Sequence, residues 1–223
     1  KVLDFKPLGW AALGLARAQF AQRRIDEARD TLQVLVAANP RLMAGYDLLA
    51  RCHEAAGNHA QAQKILEEAV AISPHMVRRL RKLGEVAFEA GDSAAAEKSF
   101  RQVVAKARYS EFRDPEDHVR LVKALVKRGD VLGASGVVRE LERSMKASPE
   151  LEACVAVANA AVHDAAGNRA GALTDLQGAV AAVRSSRGLS TGLKIGLVRS
   201  CLDHRFDKGA QDVMMAVVND QHS

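Results

Sequence analysis

Aromatic residues are scarce in this chain, and so are proline and cysteine. Tryptophan, tyrosine and phenylalanine make up 4% of 223 residues, too few for the aromatic-rich strands of an all-β fold. Only five prolines interrupt the chain, so long stretches can run as helix. Cys52, Cys154 and Cys201 are odd in number and form no CxxC or CxxxC pair. That usage reads as buried thiols in a reducing compartment rather than a disulfide framework. No apolar run approaches the roughly 18–20 residues a membrane span needs, and no secretory leader is visible.

The residue patterns of catalysis are missing too. His53, His59, His75, His118, His163, His204 and His222 show no HExxH or other ligand spacing, because His59 follows Glu54 by five residues rather than three. His53 and His163 fall on positions that read as core or semi-core. Glu67-Glu68 and the pair Glu140 and Glu142 read as solvated helix faces, not as a general acid and base. There is no GxxxxGK[ST], no GxGxxG after a strand, and Gly188-Leu189-Ser190 lacks the strand–turn–helix context of a nucleophile elbow. No enzyme, metal or cofactor is expected.

What the chain does contain is Ala, Leu, Val, Arg and Glu in helical proportion, with a formal charge of +5 and a pI near 9.3. Basic runs are short, as in Arg78-Arg79-Leu80-Arg81-Lys82. They read as solvated helix faces more than as a nucleic-acid footprint.

A repeat organises these residues. Tyr46–Pro74 reads as two short amphipathic helices joined by an Ala-Gly-Asn turn and closed by Ser-Pro. Pro40 and Pro74 are 34 residues apart, as are Gly57 and Gly91; Gly129 and Gly167 follow at intervals of 38. Each of these glycines precedes Asn58, Asp92, Asp130 or Asn168. Glycine takes a left-handed helix C-terminus, and the Asn or Asp after it can cap the next helix. Small residues recur in register at Ala28, Ala62, Ala96, Ala134, Ala172 and Ala210, each followed four residues later by Leu32, Leu66, Phe100, Val138, Leu176 or Met214. Leu15, Leu49, Leu83, Leu121 and Leu197 share a register on the first helices, which Asn159 breaks.

These positions resemble the tetratricopeptide repeat, a 34-residue helix–turn–helix unit. Tyr46, Leu49, Ala50, Gly57, Ala62, Leu66, Ala69 and Pro74 fill its pattern in the second unit, and Leu80, Leu83, Gly84, Gly91, Ala96 and Phe100 in the third. The resemblance implies an all-α, right-handed α-solenoid of about six helix pairs over 9–218, with units starting near 9, 43, 77, 115, 153 and 191. Residues 1–8 read as a linker and 219–223 as a polar tail. The last three units are degenerate and longer. Their junctions carry helix-start signals at Asp114-Pro115 and Ser148-Pro149. Arg184–Gly192 reads either as a hinge or as a disordered connection.

In this family the first helix of each pair lines the concave face. Its lining positions carry Trp10, Arg17 and Phe20 in the first unit, and Asp47 and Arg51 in the second. The third and fourth units contribute Arg78, Arg81, Lys82, Glu85 and Phe88, then Arg120 and Lys123. The resulting groove is mixed and mildly basic. It either takes an acidic peptide or helix, with Trp10, Phe20 and Phe88 as apolar anchors, or simply solvates the inner face. The Lys, Asn, Asn, Lys, Arg set with which chaperone adaptors grip a C-terminal carboxylate is absent: Leu13 and Leu48 replace two members, and only Arg78 and Lys82 of the third unit fit.

Ser73–Leu125 also resembles the C-terminal repeat domain of bacterial response regulators that join a receiver to tetratricopeptide repeats. That implies an output module of two-component signalling in a bacterial cytoplasm, with Lys1–Leu8 ending an interdomain linker. Two other classes stay open. An RNA-binding helical repeat is disfavoured because the reading positions change from Asp47 to Arg81 to Val119. In a self-associating scaffold, the last unit, with Ile195, Leu197, Val198, Leu202, Met214 and Met215, would either cap the array or form a homodimer.

Overall fold

The computed structural model describes residues 8–144, 148–185 and 189–221. The expected linker, apart from Leu8, and the last two residues of the tail lie outside these, as do parts of the two junctions around 145–147 and 186–188. Among the described residues there are twelve α-helices and no strand, the all-α helical-repeat fold expected.

The helices pair as α1 (Gly9–Ala21) with α2 (Ile25–Ala38), α3 (Met43–Ala55) with α4 (His59–Ile72), and α5 (Val77–Glu89) with α6 (Ser93–Ala107). Then follow α7 (Pro115–Lys127) and α8 (Val131–Ser144), α9 (Pro149–Ala165) and α10 (Arg169–Ser185), and α11 (Thr191–Asp203) and α12 (Asp207–Gln221). The chain divides into two compact units, one ending at Lys106 and the other beginning at Ala107.

In the first unit α3 packs on α2 and α5 on α4, so each new pair covers the second helix of the last. Their shared core runs through Leu32, Leu49, Leu66, Leu83 and Val86. In the second unit α9 packs on both α7 and α8, and α12 on α10.

The turns explain why the pairs close. Gly57, Gly91, Gly129 and Gly167 all have φ between 75° and 85°, the left-handed region that glycine enters without penalty. The next amide then reaches back five residues to a carbonyl of the first helix: Asn58 to His53, Asp92 to Ala87, Asp130 to Leu125 and Asn168 to His163, at 2.8–3.0 Å. Three of the four residues after the glycine also cap the second helix. Asp92, Asp130 and Asn168 accept from the amides of Ala95, Gly133 and Gly171, whereas Asn58 makes no side-chain cap bond.

The first and last pairs make the same turn without glycine. Arg23 and Arg205 occupy the left-handed position at φ 64° and 55°, and Arg24 and Phe206 make the same backward bonds to Gln19 and Cys201.

The small residues do what the spacing requires. Ala28, Ala62, Ala96, Ala134 and Ala172 are 0% exposed and Ala210 2%. The larger partners Leu32, Leu66, Phe100, Val138 and Leu176 are buried as well. Gly84 shows how tight the approach is, because a Cβ there would lie 2.6 Å from the Phe100 ring.

Two register expectations fail at the ends. Met214 is 55% exposed, and Val213 takes the buried place. Leu15 is 39% exposed, whereas Leu49, Leu83, Leu121 and Leu197 are buried, because no helix pair precedes α1 among the described residues.

The junction signals hold. Asp114 accepts from the Glu116 amide with Pro115 in the first turn, and Ser148 accepts from the Leu151 amide with Pro149 in the first turn. Helix α9 therefore begins at Pro149 rather than near 153.

A non-glycine residue in the left-handed region costs about 1–2 kcal/mol, part of which a glycine returns as unfolded-state entropy. Arg23→Gly should therefore stabilise the protein by about 0.5–1 kcal/mol, while Gly57→Ala should lose about 1 kcal/mol or more. Urea unfolding of both variants checks the pair; a loss on Arg23→Gly would contradict it.

Candidate functional site

The positions that the repeat frame assigns to an inner face are handled differently in the two units. In the first, charges bridge neighbouring first helices. The carboxylate of Asp47 on α3 receives both Nε and Nη2 of Arg79 on α5, at 2.7 and 2.9 Å. Arg79 is buried, and its remaining Nη1 donates to Ser73. The fork geometry holds the guanidinium more firmly protonated than usual, chiefly through the Asp47 hydrogen bonds. One turn further on, Lys82 pairs with Glu54 at 2.6 Å and lies 4.0 Å from Glu85.

Between α1 and α3 the link is a cation over a ring: the Arg51 guanidinium stands 4.8 Å from the centre of Phe20. Trp10 on α1 is 72% exposed, and Arg17 is exposed one face-repeat later. Trp10, Arg17 and Phe20 are seven and ten residues apart, so they form one stripe about 15 Å long. On α5, Arg78 is exposed, and Arg81, Glu85 and Phe88 are half-buried.

In the second unit the same face closes on itself. Arg120 lies 3.0 Å from Glu116, 3.0 Å from Asp117 and 3.7 Å from Asp114. Glu116 also accepts from the hydroxyl of Ser190, the residue that caps α11. Lys123 donates to Ser200 on α11 at 3.4 Å, and burial pushes its ammonium pKa down despite the nearby Asp203. Helix α7 is thus tied to α11 at two points across α9. Gly192 and Ser200, eight apart on α11, meet Glu116 and Lys123, seven apart on α7. The approach depends on smallness, because a Cβ on Gly192 would sit 3.1 Å from a Glu116 oxygen. Glu150 lies beside this cluster, and burial together with Asp114 and Glu116 raises its pKa.

Sequence reasoning missed the buried charges Arg79, Asp117 and Lys194, which are 7%, 1% and 2% exposed. A signal was present. Arg79 is four residues before the buried Leu83, Asp117 four before Leu121, and Lys194 three before Leu197 and seven before Cys201. Each therefore stands on the apolar stripe of its helix.

The groups that could do chemistry are quiet. Cys52, Cys154 and Cys201 are free and buried, as expected. Burial pushes the Cys201 thiol up to about 11, raises that of Cys52, and raises that of Cys154 with Glu116, Glu150 and Asp114 adding to the effect. All three remain thiols near neutral pH, when only thiolates attack. His53 and His118 are buried, each with an Nδ1 that finds no hydrogen-bond partner among the described residues. His163 pairs with Asp175 at 2.7 Å between α9 and α10. Among the described residues no group of His, Cys, Asp and Glu could hold a metal ion, and no helix is long and apolar enough to cross a membrane.

Comparison with known proteins fits this geometry. Residues 10–41 and 53–114 match family models of the tetratricopeptide repeat. A search of curated proteins finds no match. Among solved structures, MamA protein aligns with a TM-score of 0.61 at 14% identity, covering 82% of this chain and 96% of its own. A tetratricopeptide repeat protein from Parabacteroides merdae gives 0.61 at 15% identity, over 96% of this chain and 80% of that one. YrrB, described as a tetratricopeptide repeat protein with an unusual peptide-binding site, gives 0.60 at 13%, over 77% and 84%.

Residues 10–41 and 53–114 are therefore similar to tetratricopeptide repeats, within an all-α helical-repeat fold. Proteins of this kind typically serve as protein-interaction scaffolds.

Burial disfavours the charged form of His118 and lowers its pKa below the ordinary 6.5, although Glu140 and Asp117 oppose the shift. The unfolded chain then binds the proton more readily, so stability rises with pH through the window below 6.5 and is lost as pH falls through it. His118→Leu should remove that slope. Its stability relative to the parent should improve steadily as pH is lowered from about 7.5 to 5.5, read by urea unfolding. Parallel profiles would show that His118 does not carry the effect.

Proposed function

We propose that this chain is a non-catalytic protein-interaction module that takes an acidic peptide or helix on the inner face of its first unit. The observation that carries this is the Trp10–Arg17–Phe20 stripe, with Trp10 72% exposed and Arg51 continuing the surface over Phe20. A large rigid ring beside guanidinium groups is the composition of an interface hot spot. Arg78, Arg81, Lys82, Glu85 and Phe88 extend the surface along α5, and Asp47 fixes the spacing of α3 and α5 through Arg79. Arg120 and Lys123 belong to the second unit, where α7 and α11 engage them, and act as scaffold. YrrB, of similar fold, is described as having a peptide-binding site, which supports a peptide as the occupant.

Trp10 is the one tryptophan in the chain, so the reading has a direct probe. Acidic peptides that occupy the stripe should shift its emission to the blue and protect it from acrylamide quenching. Trp10→Ala and Arg51→Glu should each weaken binding about tenfold or more, roughly 1.4 kcal/mol, measured by calorimetry. Binding that leaves Trp10 emission and both variants unaffected would place the site elsewhere.

The resemblance of Ser73–Leu125 to receiver-linked repeat domains supports a setting in two-component signalling, with this module as the output part. The sequence encoded upstream of Lys1 checks this: a receiver domain is expected there, and any other domain contradicts it.

A further inference from the structure

Three arginines of the second unit, Arg108, Arg139 and Arg143, line one open cleft of about 530 Å³ whose other walls are Gly136 and Glu140. Helix α8 builds most of it. Gly136, Arg139, Glu140 and Arg143 stand at i, i+3, i+4 and i+7, which is one face of a helix. Arg108 comes from the junction after α6, where its guanidinium lies 5.7 Å from the centre of the Tyr109 ring. No carboxylate among the described residues forms an ion pair with any of these three guanidinium groups, in contrast to Arg120, which is surrounded by three.

Gly136 is the second observation. A glycine inside a helix costs stability relative to alanine, and here nothing lies within 4 Å of where its Cβ would be. Neither a turn nor a close contact requires it. Its effect is to leave the floor between the arginines bare.

We infer that this cleft is an anion site that takes a phosphorylated side chain of a protein partner. Three guanidinium charges against the one carboxylate of Glu140 leave two positive charges to be met. A phosphomonoester carries about −1.5 to −2 near neutral pH and presents three acceptor oxygens, whereas a carboxylate brings one charge and two oxygens. Arginine forks suit phosphate oxygens because two parallel N–H groups can donate at once. Glu140 penalises an occupant too weakly charged to offset it. Tyr109, 93% exposed, and Phe112, 38% exposed, stand on the same junction as Arg108 and offer rings to the residues flanking the phosphate. The site is local rather than a track, which favours a single phosphate over a nucleic-acid backbone.

The test is fluorescence anisotropy on the full chain with a labelled degenerate peptide library bearing a fixed phosphoserine. Its serine and glutamate counterparts and a mixed-sequence single-stranded RNA serve as comparison probes. The phosphopeptides should bind saturably and at least about tenfold more tightly than either counterpart. The double variant Arg139→Gln/Arg143→Gln should lose that preference while keeping its melting temperature, and Trp10→Ala should not change it. If the double variant melts early, Arg143→Gln alone is compared through guanidinium Nε–H shifts on titration with O-phosphoserine. Equal binding of phosphoserine and serine peptides, RNA binding as tight as phosphopeptide binding, or shifts confined to other arginines would overturn the assignment.

Discussion

The close approach of each second helix to its first is the constraint on which the rest of this structure depends. It is met by one small residue per pair, from Ala28 to Ala210, each of them 0–2% exposed. A larger side chain there would push the helices apart, since interaxial distance follows the residues at the contact. The large residue four positions later then fills the space beside the first helix, most tightly where Phe100 lies against Gly84. The left-handed turn is the second half of the same device, because it reverses the chain in few enough residues to keep that register. Once both are set, the remaining positions of the first helices are released from packing and become surface.

The two units use that surface in opposite ways. In the first, the ion pairs Asp47 to Arg79 and Glu54 to Lys82 join neighbouring first helices. They set the spacing of α3 and α5 and leave the α1 stripe uncovered. The Arg79 charge is almost wholly buried, so its worth lies in geometry. Without Asp47 the largely buried guanidinium would lose its counter-charge, which is why such pairs fix register more than they add stability. In the second unit, Glu116 and Lys123 reach across α9 to α11, and Gly192 keeps that approach possible. Side chains that could have met a partner meet their own chain instead.

The parts of this arrangement written at fixed spacing were legible in the sequence. Gly57, Gly91, Gly129 and Gly167 announce their turns because only their conformational freedom suits φ near 80°. Pro115 and Pro149 announce helix starts for an equally local reason. Arg23 and Arg205 were not legible as turn residues, since nothing in an arginine signals the left-handed region; the helices on either side impose it. Met214 was misplaced because the spacing from Ala210 does not say whether the third or the fourth residue after it turns inward, and it is Val213 that does. The candidate surface was legible as a set of positions but not as a set of partners. Arg120 and Lys123 read as groove cations in the sequence, but Arg120 is taken up by Asp114, Glu116 and Asp117 beside it, and Lys123 by Ser200, 77 positions away.

The reactive groups sharpen what kind of function this fold can support. Its thiols are buried with raised pKa values, and His53 and His118 are held toward their neutral forms by burial, so neither set offers an activated nucleophile or a charged acid. Charge and aromatic area lie outside, on the α1 stripe and around the α8 cleft. Repeat folds permit this division because each helix pair is stabilised by its immediate neighbours. A surface residue such as Trp10, Arg139 or Arg143 can then change without disturbing the core, whereas Ala62 or Gly84 cannot. Specificity for a partner is therefore free to reside in exposed side chains that the repeat pattern leaves unspecified.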